Sequence, residues 1–249
     1  MDLNADLGEH DGNGYESDIA LLDLVTSASI ACGAHAGSDE VMRNTARAAA
    51  DRGVVIGAHP GYRDRAGFGR REMAMPAASL AAEIVAQVMA LAKCCDAVGA
   101  KLRYVKPHGA LYNTAARDQG VALTIAAAMR DIDRDLIVLT LPRCALAVEA
   151  RTAGLTVARE AFIDRNYEDD GSLVPRGNER ATIRDSAVAA DRALAMVRDR
   201  VVTSISGAVV SIDPDSLCVH SDSVNALAIV SATRSRLERA GFPCAPFAR

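Results

Sequence analysis

Apolar and polar positions along the 249-residue chain follow two alternating rhythms. Short apolar runs, several with period-2 alternation, predict strands at Asp2–Asp6, Ala28–Gly33, Val54–His59, Leu102–Pro107, Leu136–Leu141, Thr156–Ile163 and Ser216–His220. Longer amphipathic runs between them predict helices at Ser38–Arg52, Ala78–Val98, Val121–Arg130, Arg143–Ala153, Ile183–Asp199 and Ser223–Ala240, with a shorter one at Ser17–Thr26. Gly53, Gly99, Gly154 and Gly241 each stand just past a helical pattern, where the first residue after a helix is often glycine. Val201–Ser211 alternates and reads as an extra hairpin. Tyr167–Arg180 and Val201–Asp215 read as longer irregular insertions.

Repeated strand–helix units imply a parallel sheet with helices outside it. Seven such units without a Gly/Ser/Pro-rich hinge favour a closed or nearly closed seven-stranded parallel β/α barrel, one domain over 1–249. An open doubly wound sheet is the alternative. A parallel barrel carries its chemistry at the C-terminal ends of its strands, and here those ends are polar. The first strand alternates Asp2, Asn4 and Asp6 with Leu3, Ala5 and Leu7, so one face is lined by two carboxylates and an amide. The next strands run into Cys32-Gly33-Ala34-His35, His59-Pro60 and Lys106-Pro107-His108. The sixth carries Arg159-Glu160 and continues to Asp164-Arg165, and the seventh ends at His220-Ser221-Asp222. Four of the five histidines thus fall at one level of the expected barrel. A single histidine in such a chain is more often structural than catalytic; the coincidence of six polar strand ends is what favours a reaction site. Asp18 and Asp51 read as solvated helix faces, and His10 as a solvent-facing loop residue.

Composition narrows the function. Aromatics make up 4% of the chain, so Ala and Val carry much of the packing, as close-packed helices on a sheet require. The net charge of −4, with no basic run interleaved with aromatics, argues against nucleic acid. No apolar stretch is read as long enough to span a membrane and no signal peptide is evident. Six cysteines without a C-x-x-C pair suggest reduced thiols and a cytoplasmic location. No P-loop, no G-x-G-x-x-G after a strand and no G-x-S-x-G occurs; the glycine clusters Gly12–Gly14 and Gly67–Gly69 are weak signals. Arg70 and Arg71 follow the second cluster, suited to an anion or to an exposed loop alike.

Six segments, "DLNADLGE", "ACGAHAGS", "IGAHPGYRDRAGFGRR", "VKPHGALYN", "FIDRNYEDDGSLVPR" and "LCVHSD", occur in an order that closely resembles the LamB/YcsF family. They span residues 2 to 222. The resemblance implies a β/α barrel related to glycoside hydrolases and polysaccharide deacetylases. It also implies ATP-dependent opening of 5-oxo-L-proline to L-glutamate, with 5-oxoprolinase subunits B and C as partners and ATP bound here or by them. Ser38 stands where the family usually has Asp, and Ser221 where it usually has Gly. On this reading Asp6, His59, Lys106 and His108 are the catalytic candidates, with Lys106 stabilising phosphate or oxyanion charge. Asn4, His35, Glu160, Arg165, Arg176, His220 and Asp222 are the substrate-binding candidates, Arg165 or Arg176 clasping a carboxylate. Analogy with the deacetylase barrels suggests a divalent metal on Asp6, His59 and His108. The alternatives are a stand-alone metal-dependent amide hydrolase or deacetylase on a small N-acyl or carbohydrate substrate, and a non-catalytic barrel within a complex. The oligomeric state, a homo-oligomer included, is left open.

Overall fold

In the computed structural model, which describes residues 1–11 and 13–248, the alternating runs become strands of one closed sheet. Gly12, of the Gly12–Gly14 cluster, and Arg249 lie outside the described residues. The strands are β1 (Asp2–Leu7), β2 (Ser27–Ala31), β3 (Val55–His59), β4 (Leu102–Val105), β5 (Ile137–Thr140), β6 (Thr156–Phe162), β7 (Val201–Thr203), β8 (Val209–Ser211) and β9 (Ser216–His220). Seven close a parallel barrel in the order β1-β2-β3-β4-β5-β6-β9, and β7 and β8 form the separate antiparallel hairpin. The seam joins β1 to β9, with Asp2 opposite Ser216 and Asp6 opposite His220.

Among the described residues eight α-helices surround it: α1 (Tyr15–Leu22), α2 (Asp39–Asp51), α3 (Ala77–Ala97), α4 (Gly109–Arg117), α5 (Gln119–Ile132), α6 (Ala145–Thr152), α7 (Ser186–Arg198) and α8 (Ala226–Arg239). Several of their starts are capped by the side chains the sequence supplies. Ser38 accepts from the Val41 amide at 3.2 Å, and Asp118 from that of Val121 at 3.0 Å. Gly53, just past α2, takes the left-handed conformation (φ 67°). Two readings change. Helix α4 has no forecast counterpart: it begins directly after His108, is nine residues long and buries Ala110, Leu111, Tyr112 and Ala115. And α3, 21 residues with mean hydropathy 1.5, is long and apolar enough to cross a membrane. It lies instead along the barrel, burying Leu80, Ile84, Val88 and Leu91 in the main core.

Period-2 alternation splits the strands between two environments. Leu3, Ala5, Leu7, Ile30, Ile56 and Val138 belong to the main core shared with the helices; each large side chain removed from water there contributes about 1.5–3 kcal/mol. The opposite faces look into the barrel. A small apolar group, Tyr104, Leu139 and Ala158 with Val55, Ile137 and Phe247, fills part of that interior. Gly57 faces the Tyr104 ring so closely that a Cβ would lie 2.2 Å from a ring carbon. Elsewhere the interior is polar. Asp2 accepts from Thr26 at 2.5 Å, from Ser27 at 2.7 Å and from Ser216, and burial pushes its carboxyl up to about 6 despite those bonds.

Candidate active site

One inward step along β3, β4 and β6 replaces Gly57, Tyr104 and Ala158 by His59, Lys106 and Glu160. The Lys106 ammonium, 2% exposed, lies 2.7 Å from Asp6 Oδ1 and 2.8 Å from Glu160 Oε1. Cys218 Sγ at 3.1 Å and Asn4 Oδ1 at 3.3 Å complete its surroundings. Burial disfavours the charge, but Asp6 foremost, then Cys218 and Glu160, more than offset it and hold the Lys106 pKa well above the usual lysine value. Burial likewise opposes ionisation of Asp6, and His59 and Lys106 outweigh it, keeping that carboxyl well below the usual range. Since an ammonium has three N–H groups and these neighbours occupy them, Lys106 organises the carboxylates rather than offering a donor to substrate. Asn4 lies among them, donating to Glu160 at 3.1 Å and Ser216 at 2.7 Å. Tyr112, on α4, donates to the second Glu160 oxygen at 2.9 Å.

A histidine cluster stands beside this floor. His59 Nδ1 is 2.7 Å from the Lys106 carbonyl, and His108 Nε2 is 2.8 Å from the Phe68 carbonyl. Carbonyl oxygens only accept, so those two nitrogens carry protons and the opposite ones, His59 Nε2 and His108 Nδ1, carry lone pairs in the neutral rings. These two nitrogens face each other at 3.0 Å. Glu9 Oε1 lies 3.0 Å from His108 Nδ1 and 3.8 Å from His59 Nε2. His35 approaches Glu9 through Nε2 at 3.0 Å and stacks on His108 with centroids 3.7 Å apart. Burial, the largest influence, pulls the His35 pKa down to about 4, so the ring is neutral and gives its Nε2 proton to Glu9. Burial would protonate Glu9, but the adjoining His108 and His35 imidazoles hold it ionised. Two imidazoles whose tautomers are fixed by backbone carbonyls, converging with a carboxylate, are a donor set that fits a divalent metal. Glu9, His59 and His108 are the residues that would hold it.

Over both groups opens a cavity of about 870 Å³. His220 lines it, with Nδ1 3.0 Å from Asp164 Oδ2. Burial opposes ionisation of Asp164, yet His220 and Ser223 bring its pKa down to about 2. Arg70 and Arg176 flank Asp222 at 2.5 and 4.0 Å on the rim. Arg165, buried, donates to the carbonyls of Val174 (2.6 Å) and Ala181 (3.3 Å), and its pKa drops to about 10, chiefly through burial.

Of the residues singled out by sequence, Asp6, His59, Lys106, His108, Arg165, Arg176 and His220 line this cavity. His35, Asn4 and Glu160 support its floor through the bonds above, and Asp222 sits on its rim. The carboxylate that meets both His59 and His108 is Glu9, not the Asp6 of the expected trio: Asp6 reaches His59 at 3.4 Å and spends its other oxygen on Lys106. Glu9 escapes a periodicity argument because it follows Gly8, whose φ of 70° turns the chain at the end of β1. Ser38 is exposed and caps α2, a task Asp performs equally well, so that departure removes nothing from the site. Asp18, expected on a solvated face, is buried; it accepts from the Gly8 amide at 2.8 Å and pairs with His10 at 3.2 Å.

The whole sequence, residues 1–249, matches the LamB/YcsF family. A protein of Streptomyces coelicolor, named as the A component of 5-oxoprolinase, is 47% identical over 249 residues, covering 100% of both chains. One of Paracidovorax citrulli with the same name is 45% identical over 249 residues, 100% of this chain and 99% of its own. The crystal structure of a lactam utilization protein from Thermus thermophilus superposes with a TM-score of 0.92 at 42% identity, covering 98% of each chain.

Proposed function

The chain belongs to the LamB/YcsF family, and from that premise we propose that it hydrolyses a lactam amide, opening 5-oxo-L-proline to L-glutamate as the A component of a multi-subunit 5-oxoprolinase. In the same proposal the reaction consumes ATP and requires subunits B and C. The observation that carries the chemistry is the seam pair at the cavity floor: Asp6, kept ionised, beside His220, whose Nδ1 is engaged by Asp164.

A lactam is a resonance-stabilised amide. Transfer of the ATP γ-phosphoryl group to the amide oxygen yields ADP and an activated ring carbon. Water adds to that carbon as Asp6 takes its proton. The ring C–N bond then breaks, and His220 Nε2 gives a proton to the departing amine. A second water cleaves the resulting acyl phosphate, giving the glutamate side-chain carboxylate and inorganic phosphate. The guanidinium of Arg176 takes the substrate carboxylate, a pairing whose forked geometry favours arginine. A divalent ion on Glu9, His59 and His108 would add Lewis-acid polarisation of the carbonyl.

The test is glutamate formation from 5-oxoproline by the purified chain, alone and with B- and C-type subunits, with and without ATP. Formation only with the partners and ATP is expected, lost in Asp6→Asn. No glutamate under any combination overturns the reading. Amide hydrolysis by the isolated chain without ATP favours the stand-alone hydrolase, which the cluster of Glu9, His59 and His108 suits.

A further inference from the structure

We propose that Glu9, His59 and His108 bind one divalent transition-metal ion, of the zinc or cobalt type, and that His35 is the positioning residue that holds Glu9 toward it. The inference rests on the proposed hydrolysis for the ion's use, but not for its binding.

The first argument is convergence. The Lys106 and Phe68 carbonyls hold His59 Nδ1 and His108 Nε2, so His59 Nε2, His108 Nδ1 and a Glu9 carboxylate oxygen, three atoms able to ligate, are turned toward one point. The second is spacing. A tetrahedral ion with bonds of about 2.0–2.1 Å separates its ligand atoms by about 3.3 Å. The separations here are 3.0, 3.0 and 3.8 Å, so adjustments of a few tenths of an ångström suffice. The third is support. The carbonyl of Phe68 and that of Lys106 fix the two ring orientations, and His35 donates to Glu9 while lying parallel to His108, with 1° between the planes. Two glycines make that stack possible: a Cβ on Gly69 would lie 2.8 Å from His108 and from His35, and one on Gly61 2.9 Å from His35 Nδ1. Their place in the segment "HPGYRDRAGFG" thus acquires a chemical purpose. Asp6 stays outside the ligand set because Lys106 and the seam engage it.

Zinc calorimetry and cobalt(II) absorption on the chelator-treated full chain test this without turnover. Wild type is expected to bind one equivalent. Glu9→Gln and His108→Asn each weaken binding at least tenfold, His35→Ala about 10–100-fold, and Asp6→Asn less than threefold. No saturable binding by wild type, or loss in Asp6→Asn with binding kept in Glu9→Gln, overturns the proposal. For any variant that does not fold, the arbiter is anomalous diffraction from zinc-soaked wild-type crystals. A peak between the three side chains supports the assignment and a peak only elsewhere overturns it. Binding without turnover would sink the hydrolase reading alone; turnover by metal-free protein would sink the ion's proposed use.

Discussion

Gly57, Tyr104 and Ala158 form one inward rung of β3, β4 and β6; His59, Lys106 and Glu160 form the next. The backbone is the same and the separation is two residues, yet the first rung packs a ring against a bare Cα and the second neutralises charges in a dry interior. The apolar rung has one task, so errors there cost stability. The ionic rung has two, because its charges pair with each other as well as facing the cavity. Removing one leaves its partners buried and uncompensated, a loss that commonly exceeds what the pair contributes.

The largest effect separating the rungs is expected from Lys106→Met. Read from sequence, Lys106 stabilises phosphate or oxyanion charge, a role that leaves the fold indifferent to it. With Asp6 and Glu160 both deprived of their counter-ion, the substitution should cost about 3–5 kcal/mol in urea unfolding, alongside a loss of turnover as Asp6 is left unpaired beside the cavity. Unchanged stability would mean the carboxylates find another partner. Next comes Asp2, in the barrel interior but away from the cavity. Its carboxyl is raised to about 6 from the ordinary value of 3.8, so the folded state binds its proton more tightly than the unfolded chain. Its contribution is therefore full below about pH 4 and lost as pH rises through about 6. Relative to Asp2→Asn, wild type should lose on the order of 2–3 kcal/mol across that window, at about 1.4 kcal/mol per unit. Parallel stability–pH curves would refute the shift. Gly57→Ala should cost about 1–3 kcal/mol by overpacking against Tyr104, measured by thermal melting, while kcat/KM stays within a few-fold. A larger catalytic loss would show the rungs to be mechanically coupled. The smallest effect is Ser38→Asp, which exchanges one good cap for another and should change stability by less than about 0.5 kcal/mol and activity not at all.

The barrel was legible because its strands obey a two-residue period and its helices a 3.6-residue one, and seven repeats of that alternation admit few topologies. The polar face of the first strand was legible for the same reason, and so was the convergence of His59 and Lys106. What periodicity could not reach were residues whose direction is set by a turn or by a distant backbone group. Glu9 returns over the strand end because Gly8 bends the chain. Arg165 looks like a substrate clasp in sequence, but its guanidinium is drawn to two carbonyls of its own loop. Helix α4 hid because "GALYNTAAR" is only nine residues long and follows His108 with no linker between it and the strand end. Its concealment cost the reading Tyr112, the hydroxyl that holds Glu160.

The seam between β1 and β9 has a consequence for biosynthesis. On the ribosome β1 emerges early, while the strand that will cover its open side is made some 210 residues later. Through that interval its exposed hydrogen-bonding side could recruit the strand of another nascent chain. Asp2, Asn4 and Asp6 make one face of the waiting strand unattractive to apolar partners. Groups that end inside the closed barrel would thus serve first as guards against aggregation, and apolar replacements there would be felt first as a poor yield of native protein.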